Sequence, residues 1–255
     1  MDPSIPAIGF LGGLLIGLTG MGGGAVVTPL LIYVSGVRPV TAVGTDLVFA
    51  ALTKMAGAWQ HGRQGTVHVP TTAYLAGGSL PAALVGVVLL ELVRRLGWAD
   101  ADDVVEHVLG YTLVIVGFTI LLLAFGRRER ASPLWQVDAG VRGVLTVLVG
   151  AVVGLLVGFT SVGSGSLLVP FLIAVWPLSV ATVVGTDILH GALLTGIAGA
   201  AHLGAGNVDL VLVPQLLLGS VPGIIIGSRL ALWVPQRVLR SILSVVLIAV
   251  GTRMA

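Results

Sequence analysis

Residues 17–24 read Gly17-Leu18-Thr19-Gly20-Met21-Gly22-Gly23-Gly24, and this run interrupts an apolar stretch that extends from about residue 5 to residue 34. A membrane-spanning helix needs roughly 20 apolar residues, so the whole stretch is too long for one ordinary span. The piece before the cluster, 5–19, would form a helix of about 22 Å, which is shorter than the roughly 30 Å hydrocarbon core. Whether the chain turns back at this cluster therefore decides the fold.

The composition indicates an integral membrane protein. Of 255 residues, 56% are hydrophobic and only 9% are charged, with a mean hydropathy of +1.08, whereas soluble domains carry about 25% charged residues. This excludes a cytosolic enzyme and a disordered chain, and a formal net charge of +2 gives no reason to expect a nucleic-acid partner. The absence of cysteine excludes disulfides, a thiolate zinc site and a cysteine nucleophile. The expected environment is the lipid bilayer, and no cofactor or metal is expected.

The apolar stretches are continuous rather than alternating, which predicts helices and not a barrel. No basic residue precedes the first stretch, so we expect it to be a mature span and not a cleaved signal peptide. A basic connection at 127–142 divides the chain into a first repeat, 1–126, and a second repeat, 143–255. The stretches lie at about 5–34, 40–61, 70–93, 105–126, 143–175, 180–203, 211–233 and 238–252.

The two parts of the chain match each other at a constant offset of 141 residues. The glycine run at 17–24 aligns with 158–165, and Gly44-Thr45-Asp46 aligns with Gly185-Thr186-Asp187. Over 17–86 the ungapped alignment contains 23 identities in 70 positions. Glycine-rich membrane segments do not readily place Asp, His and Pro in register by chance over this length. The sequence therefore predicts two homologous halves, an architecture common among transporters.

Basic residues distinguish parallel from inverted halves. If 5–34 and 143–175 are single spans, the halves are parallel and the loop arginines divide six and six. If both are hairpins, the halves are inverted and the division is eight to four, which is the bias that the positive-inside rule expects. We therefore predict an all-α polytopic protein of two inverted halves, each with a glycine-broken hairpin and three spanning helices. The eight arginines then on one side are Arg63, Arg127, Arg128, Arg130, Arg142, Arg229, Arg237 and Arg240.

Both glycine clusters precede an apolar helix, and this favours an anion site. Non-helical backbone at membrane depth persists where it lines a cavity or is packed in protein, and a helix N-terminus attracts anions. The competing interpretation is that these glycines only allow close helix packing. Nearby hydroxyls add hydrogen-bond donors. The candidate substrate-binding residues are Thr19, Gly22, Gly23, Gly24, Thr45, Thr160, Ser161, Gly163, Ser164, Gly165, Ser166 and Thr186.

Four ionisable residues inside apolar runs are candidates for a proton relay or gate: Asp46, Lys54, Asp187 and His190. Intramembrane charges are costly and usually functional. The simpler alternative for the two aspartates, and the one we favour slightly, is helix N-capping after a loop. Lys54, the only lysine, either snorkels to the membrane surface or faces a cavity. His190 follows Asp187 by three residues on one helix face and could form a relay with it, or it could equally be a satisfied polar contact between helices.

The glycine runs, Pro29 and the Gly-Thr-Asp runs with their second copies resemble the TauE/SafE sulfite-exporter family over about residues 5–252. The resemblance implies a multi-pass inner-membrane carrier, not an enzyme, for small sulfur-containing anions such as sulfite, thiosulfate, sulfoacetate or other sulfonates. It places Gly22, Gly23, Gly24, Gly163 and Gly165 near the translocation path. This chain departs from a fully glycine second run at Ser164, which adds a hydroxyl. A homodimer is a further expectation.

Two alternatives remain open at the level of sequence. The first is a carrier or channel for a different substrate, coupled to a cation or to protons. The second is an intramembrane hydrolase, with Asp46 and Asp187 as an aspartyl dyad or with Ser164 and His190 as a nucleophile and its base. The two aspartates stand in Gly-Thr-Asp contexts that are better explained as duplicated caps, and the serine–histidine pair has no third orienting group and no strong motif. A hydrolase is therefore the more remote of the two alternatives.

Overall fold

The computed structural model describes residues 3–19, 24–97, 99–125, 138–231 and 233–255. These parts of the chain form ten helices and no strand, which confirms the predicted all-α class. The helices are α1 Ser4–Thr19, α2 Gly24–Tyr33, α3 Pro39–Arg63, α4 Val69–Leu96, α5 Ala101–Phe125, α6 Ala139–Thr160, α7 Ser164–Val175, α8 Val180–Gly204, α9 Leu212–Leu230 and α10 Gln236–Met254.

Six of these helices are long and apolar enough to cross a membrane, namely α3, α4, α5, α6, α8 and α9. The first apolar stretch is divided between two short helices, α1 and α2, and the second between α6 and the short α7. The chain is therefore a multi-pass membrane protein. The glycine-rich runs fall where the helices are interrupted, as the sequence predicts, although residues 20–23 themselves lie outside the described part of the chain.

Backbone conformation explains the interruption between α6 and α7. Ser161 takes a left-handed conformation with φ 62° and ends α6, and Gly163 follows with φ 122°. The second angle is one that side-chain-bearing residues rarely adopt, so glycine is required there. The N-terminal end of α6 lies at Ala139, where the Asp138 carboxylate accepts a hydrogen bond from Gly140 N at 2.8 Å. This boundary lies inside the predicted connection 127–142, of which 127–137 is outside the described residues.

The most extensive helix contacts run between the two predicted halves rather than within them. α1 packs along α9, α4 along α6, α3 along α8 and α5 along α10. Gly154 of α6 contacts the backbone of Ser79 in α4, and Gly13 of α1 contacts the backbone of Ser220 in α9. Gly154 and Gly13 are 141 residues apart, and so are Ser220 and Ser79, so the two contacts are equivalent under the offset. The same offset relates the helix bounds of α3, 39–63, to those of α8, 180–204.

Corresponding helices pack antiparallel. In the α3–α8 pair, a Cβ on Gly57 would meet Ile188, and one on Gly199 would meet Val48. The residue numbers of these contacts increase along α3 as they decrease along α8, so the two helices run antiparallel. Since α3 and α8 are equivalent under the offset of 141, this is the arrangement that inverted halves require. The duplication itself stays a prediction from the sequence.

Neighbouring glycines of α4 give a direct test of the interlocking contacts. A Cβ on Gly78 would meet Val147 O and, at 2.9 Å, Ala151 N of α6, whereas nothing lies within 4 Å of one on Gly77. Gly78→Ala should destabilise the protein by about 1–3 kcal/mol, the usual cost of overpacking. Gly77→Ala should be neutral or stabilising because alanine favours a helix by about 1 kcal/mol. Thermal unfolding in detergent measures both, and equal effects would contradict the close α4–α6 packing.

Inversion is tested by paired single cysteines, because the chain contains none. Gln64 and Ala205 follow α3 and α8 directly and are 141 residues apart. In intact cells a membrane-impermeant maleimide should label Ala205→Cys, whereas Gln64→Cys should require permeabilisation. Labelling of both from the same side would show that the halves are parallel.

Candidate functional site

A small cavity lies where the break between α6 and α7 faces α3. The Lys54 Nζ reaches into it from α3 and donates a 2.7 Å hydrogen bond to Ser164 Oγ at the start of α7. The volume is about 10 Å³, which is room for about one water molecule. Of the predicted substrate-binding residues, the cavity brings together Gly24, Ser161, Gly163, Ser164, Gly165 and Ser166; Ala25, Ala50 and Thr195 complete the lining with Lys54.

The first turn of α7 supplies hydrogen-bond donors on one side of this cavity. The first N–H groups of a helix have no partner inside it, and the helix dipole places about half a positive charge at this end. The Ser164 side chain, only 4% exposed, and the Ser166 hydroxyl add polar groups at the same place. With the Lys54 ammonium opposite, the arrangement is suited to a small oxyanion.

A larger cavity of about 580 Å³ meets the small one at Lys54. Residues of α1, α3, α8 and α9 line it, including Asp187 and, near the ends of α3 and α9, His61 and Ser228. Of the two sequence-based interpretations of Lys54, the structure therefore supports a lysine that faces a cavity. We call the larger cavity the vestibule.

Asp46 joins the two broken regions. Its carboxylate is fully buried, and Oδ2 accepts hydrogen bonds from Thr28 Oγ1 of α2 at 2.8 Å and from Ser161 Oγ at 2.6 Å. Oδ1 has no hydrogen-bond partner in the described part of the chain. Asp46 thereby connects α2, α3 and the turn that precedes α7.

The N-cap interpretation of both aspartates is wrong. α3 begins at Pro39, whose fixed φ suits the first helical position. Asp46 is therefore the eighth residue of the helix and lies about two turns inside it. α8 begins at Val180, and the cap is Ser179, whose hydroxyl accepts from Thr182 N at 3.1 Å. Both helices begin about two turns before their aspartates, at the starts of the apolar stretches 40–61 and 180–203, and the carboxylates therefore lie in the protein interior.

Asp187 and His190 lie near each other in sequence but have different surroundings. Asp187 is 4% exposed and lines the vestibule, and its Oδ1 has no partner among the described residues. His190 Nε2 lies 2.7 Å from Ser79 Oγ of α4. No hydrogen bond joins the two within the described ranges, so the predicted relay pair is not in direct contact.

The hydrolase arrangements are not assembled either. Ser164 contacts Lys54 rather than His190, and Asp46 is held by hydroxyls while Asp187 borders the vestibule. No hydrogen bond between the two carboxyl groups is present in the parts of the chain that the structure describes.

Three predicted ligands use their hydroxyls elsewhere. Thr45 Oγ1 accepts from Asp209 N at 3.0 Å, and Thr186 Oγ1 accepts from His68 N at 2.9 Å, so both hold loops that precede helices of the other half. Thr160 Oγ1 donates to Leu156 O at 2.7 Å within α6. None of the three lines the small cavity. Gly22, Gly23 and the side chain of Thr19 lie outside the described residues.

Sequence reasoning did not identify the Lys54–Ser164 contact or the roles of Thr28 and Thr195. The offset of 141 contains one usable signal, since it pairs Lys54 with Thr195 and both line the cavity. Thr28 has no such signal, because its equivalent is Val169.

Comparison with known proteins identifies the family. Residues 5–254 match the model of the sulfite exporter TauE/SafE family. The chain is 39% identical over 255 residues to the probable membrane transporter protein YjnA of Bacillus subtilis, covering 100% of both chains. It is 27% identical over 234 residues to the probable membrane transporter protein YdhB of the same organism, covering 91% of each. No solved structure matches. With its six spanning helices and broken-helix cavity, the chain belongs to the sulfite exporter TauE/SafE family of membrane transporters.

Proposed function

We propose that this protein carries a small sulfur-containing oxyanion, of the sulfite, thiosulfate or sulfonate type, across the cell's inner membrane. The observation that carries the proposal is the contact between Lys54 and Ser164 at the N-terminus of α7. The family name supplies the sulfur chemistry. The small cavity offers an anion the Lys54 ammonium and the amides at the start of α7 as hydrogen-bond donors.

The Lys54 ammonium has only a neutral hydroxyl as its hydrogen-bond partner within the described part of the chain. A cation inside a membrane is costly unless a charge or a polar cavity compensates for it. An oxyanion placed between Lys54 and the α7 N-terminus would accept charge-assisted hydrogen bonds, which are about twice as strong as neutral ones. The bound substrate would thus provide the negative charge that the Lys54 ammonium lacks among its hydrogen-bond partners.

The small cavity is closed around its polar groups, so transport requires a movement. Since Lys54 lines both cavities, movement of its side chain from Ser164 toward the vestibule would open a path between them. The vestibule lies toward the ends of α3 and α9, where Arg63 and Arg229 are located. By the positive-inside rule this is the cytoplasmic side. The opposite access would follow from rocking of one half against the other around the site.

A serine beside a lysine is also the arrangement of Ser–Lys hydrolases, so the contact itself favours a second candidate. The two functions make different demands on Ser164. A nucleophile cannot be replaced by alanine, whereas an anion site that keeps Lys54 and the α7 amides should retain part of its affinity. Partial retention of anion transport by Ser164→Ala therefore supports the carrier, because a hydrolase would lose its turnover with the nucleophile.

The decisive variant is Lys54→Gln. Sulfite, thiosulfate, sulfoacetate and chloride would be added at matched ionic strength to the detergent-solubilised protein. A ligand of the folded state raises the melting temperature by mass action. One sulfur oxyanion should stabilise the wild type selectively, and Lys54→Gln should weaken its binding about 10- to 100-fold, the value expected for a hydrogen bond to a charged group.

Arg38→Gln is the matched control, since it removes the same charge from an exposed residue that precedes α3 and lies outside both cavities. It should keep the wild-type shift. Equal loss in both variants would indicate nonspecific charge attraction, and an unchanged shift in Lys54→Gln would contradict the proposed site.

A further inference from the structure

Oxygen atoms from three chain segments converge beside Gly24. Asp46 Oδ2 is within hydrogen-bond distance of both Thr28 Oγ1 and Ser161 Oγ, while Oδ1 is without a partner in the described residues. The whole Asp46 side chain is 0% exposed. Water therefore does not reach the unpaired oxygen from the protein surface.

A main-chain oxygen joins this group because α6 ends at Ser161. The position that a Cβ on Gly24 would occupy is 2.6 Å from Ser161 O, 2.9 Å from Asp46 Oδ2 and 3.2 Å from Ser161 Oγ. These distances are shorter than a side chain tolerates, so the three oxygens lie directly against the backbone of Gly24. A side chain at position 24 would displace them, so only glycine lets α2 approach these oxygens this closely.

The balance of charge in this region calls for a cation. Asp46 and Asp187 are both buried, and Lys54 is the only lysine of the chain. Lys54 interacts electrostatically with both carboxylates but forms no direct ion pair with either in the described ranges, and one lysine offsets the charge of only one of them. A buried carboxylate that lacks a counter-charge is costly. An anionic substrate would increase the excess of negative charge.

We propose that the oxygens of Asp46, Thr28 and Ser161 form a binding site for one sodium ion. The ligands are all oxygen, as hard cations require. A single carboxylate balances a monovalent ion, whereas calcium sites usually combine several carboxylates with carbonyls. Unwound backbone carbonyls are recognised sodium ligands in transporters built from broken helices. Binding would join α2 and α3 to the turn that positions Ser164.

Only the first half contains this site. The residues equivalent to Thr28 and Ser161 at the offset of 141 are Val169 and Gly20, neither of which has a hydroxyl. Asp187, the equivalent of Asp46, therefore lacks the side-chain ligands. The coupling of sodium to transport rests on the proposed function, but the existence of the site does not.

The test measures sodium binding without any sulfur anion. Melting temperatures would be compared in sodium, potassium and choline chloride at equal ionic strength and fixed pH. Sodium should raise the melting temperature of the wild type in a saturable manner. Asp46→Asn should abolish this shift. Thr28→Val and Ser161→Ala, which keep the carboxylate, should weaken sodium binding at least tenfold, and Asp187→Asn should retain the shift.

Equal melting temperatures of the folded wild type in sodium and choline would overturn the proposal, as would a sodium shift that survives in Asp46→Asn. An Asp46-dependent response to pH alone would also overturn it, because a proton would then occupy the carboxylate. If Asp46→Asn does not fold, the two hydroxyl variants decide. A sodium response without any anion response would reject the anion site and leave the cation site, and the reverse result would reject the cation site alone.

Discussion

Backbone groups freed at the interruption between α6 and α7 cannot be solvated by lipid, and the arrangement of the surrounding helices follows from this constraint. The carbonyl groups at the end of α6 and the amides at the start of α7 must be packed in protein or line a polar cavity. α3 lies against this break and contributes Asp46 to the α6 side and Lys54 to the α7 side. One helix thus places a carboxylate beside the partly negative C-terminal end of α6 and an ammonium beside the partly positive N-terminal end of α7.

Close packing holds that helix in position. Glycines on α1, α4, α6 and α9 let each pair of backbones approach until side chains of other residues would collide. Since these pairs join the first half to the second, neither half encloses the site alone. Among the described residues, the buried aspartate and histidine side chains lie on α3 and α8, and large exposed hydrophobic side chains lie on helices such as α4, α5 and α10, which suits a lipid-facing surface.

Sequence patterns predicted the fold further than the site. Continuous apolar runs, the offset of 141 and the glycine clusters predicted helix class, helix count and the interruption after Thr160, because each depends on local chemistry or on repetition. The role of Asp46 was harder to predict, because a carboxylate early in an apolar run is also typical of a helix N-cap. The apolar stretch 40–61 already indicated the start of α3, but the contact of Asp46 with Ser161 joins residues 115 positions apart. No spacing rule contains that information.

The central claim is that Lys54 and the N-terminus of α7 hold the transported anion. The most direct measurement is uptake of radiolabelled sulfite into proteoliposomes preloaded with unlabelled sulfite, for the wild type and for Lys54→Gln reconstituted at equal density. We expect the wild type to exchange sulfite in a manner that other sulfur oxyanions inhibit and chloride does not, and we expect Lys54→Gln to lose most of this exchange. Exchange by Lys54→Gln at the wild-type rate would contradict it.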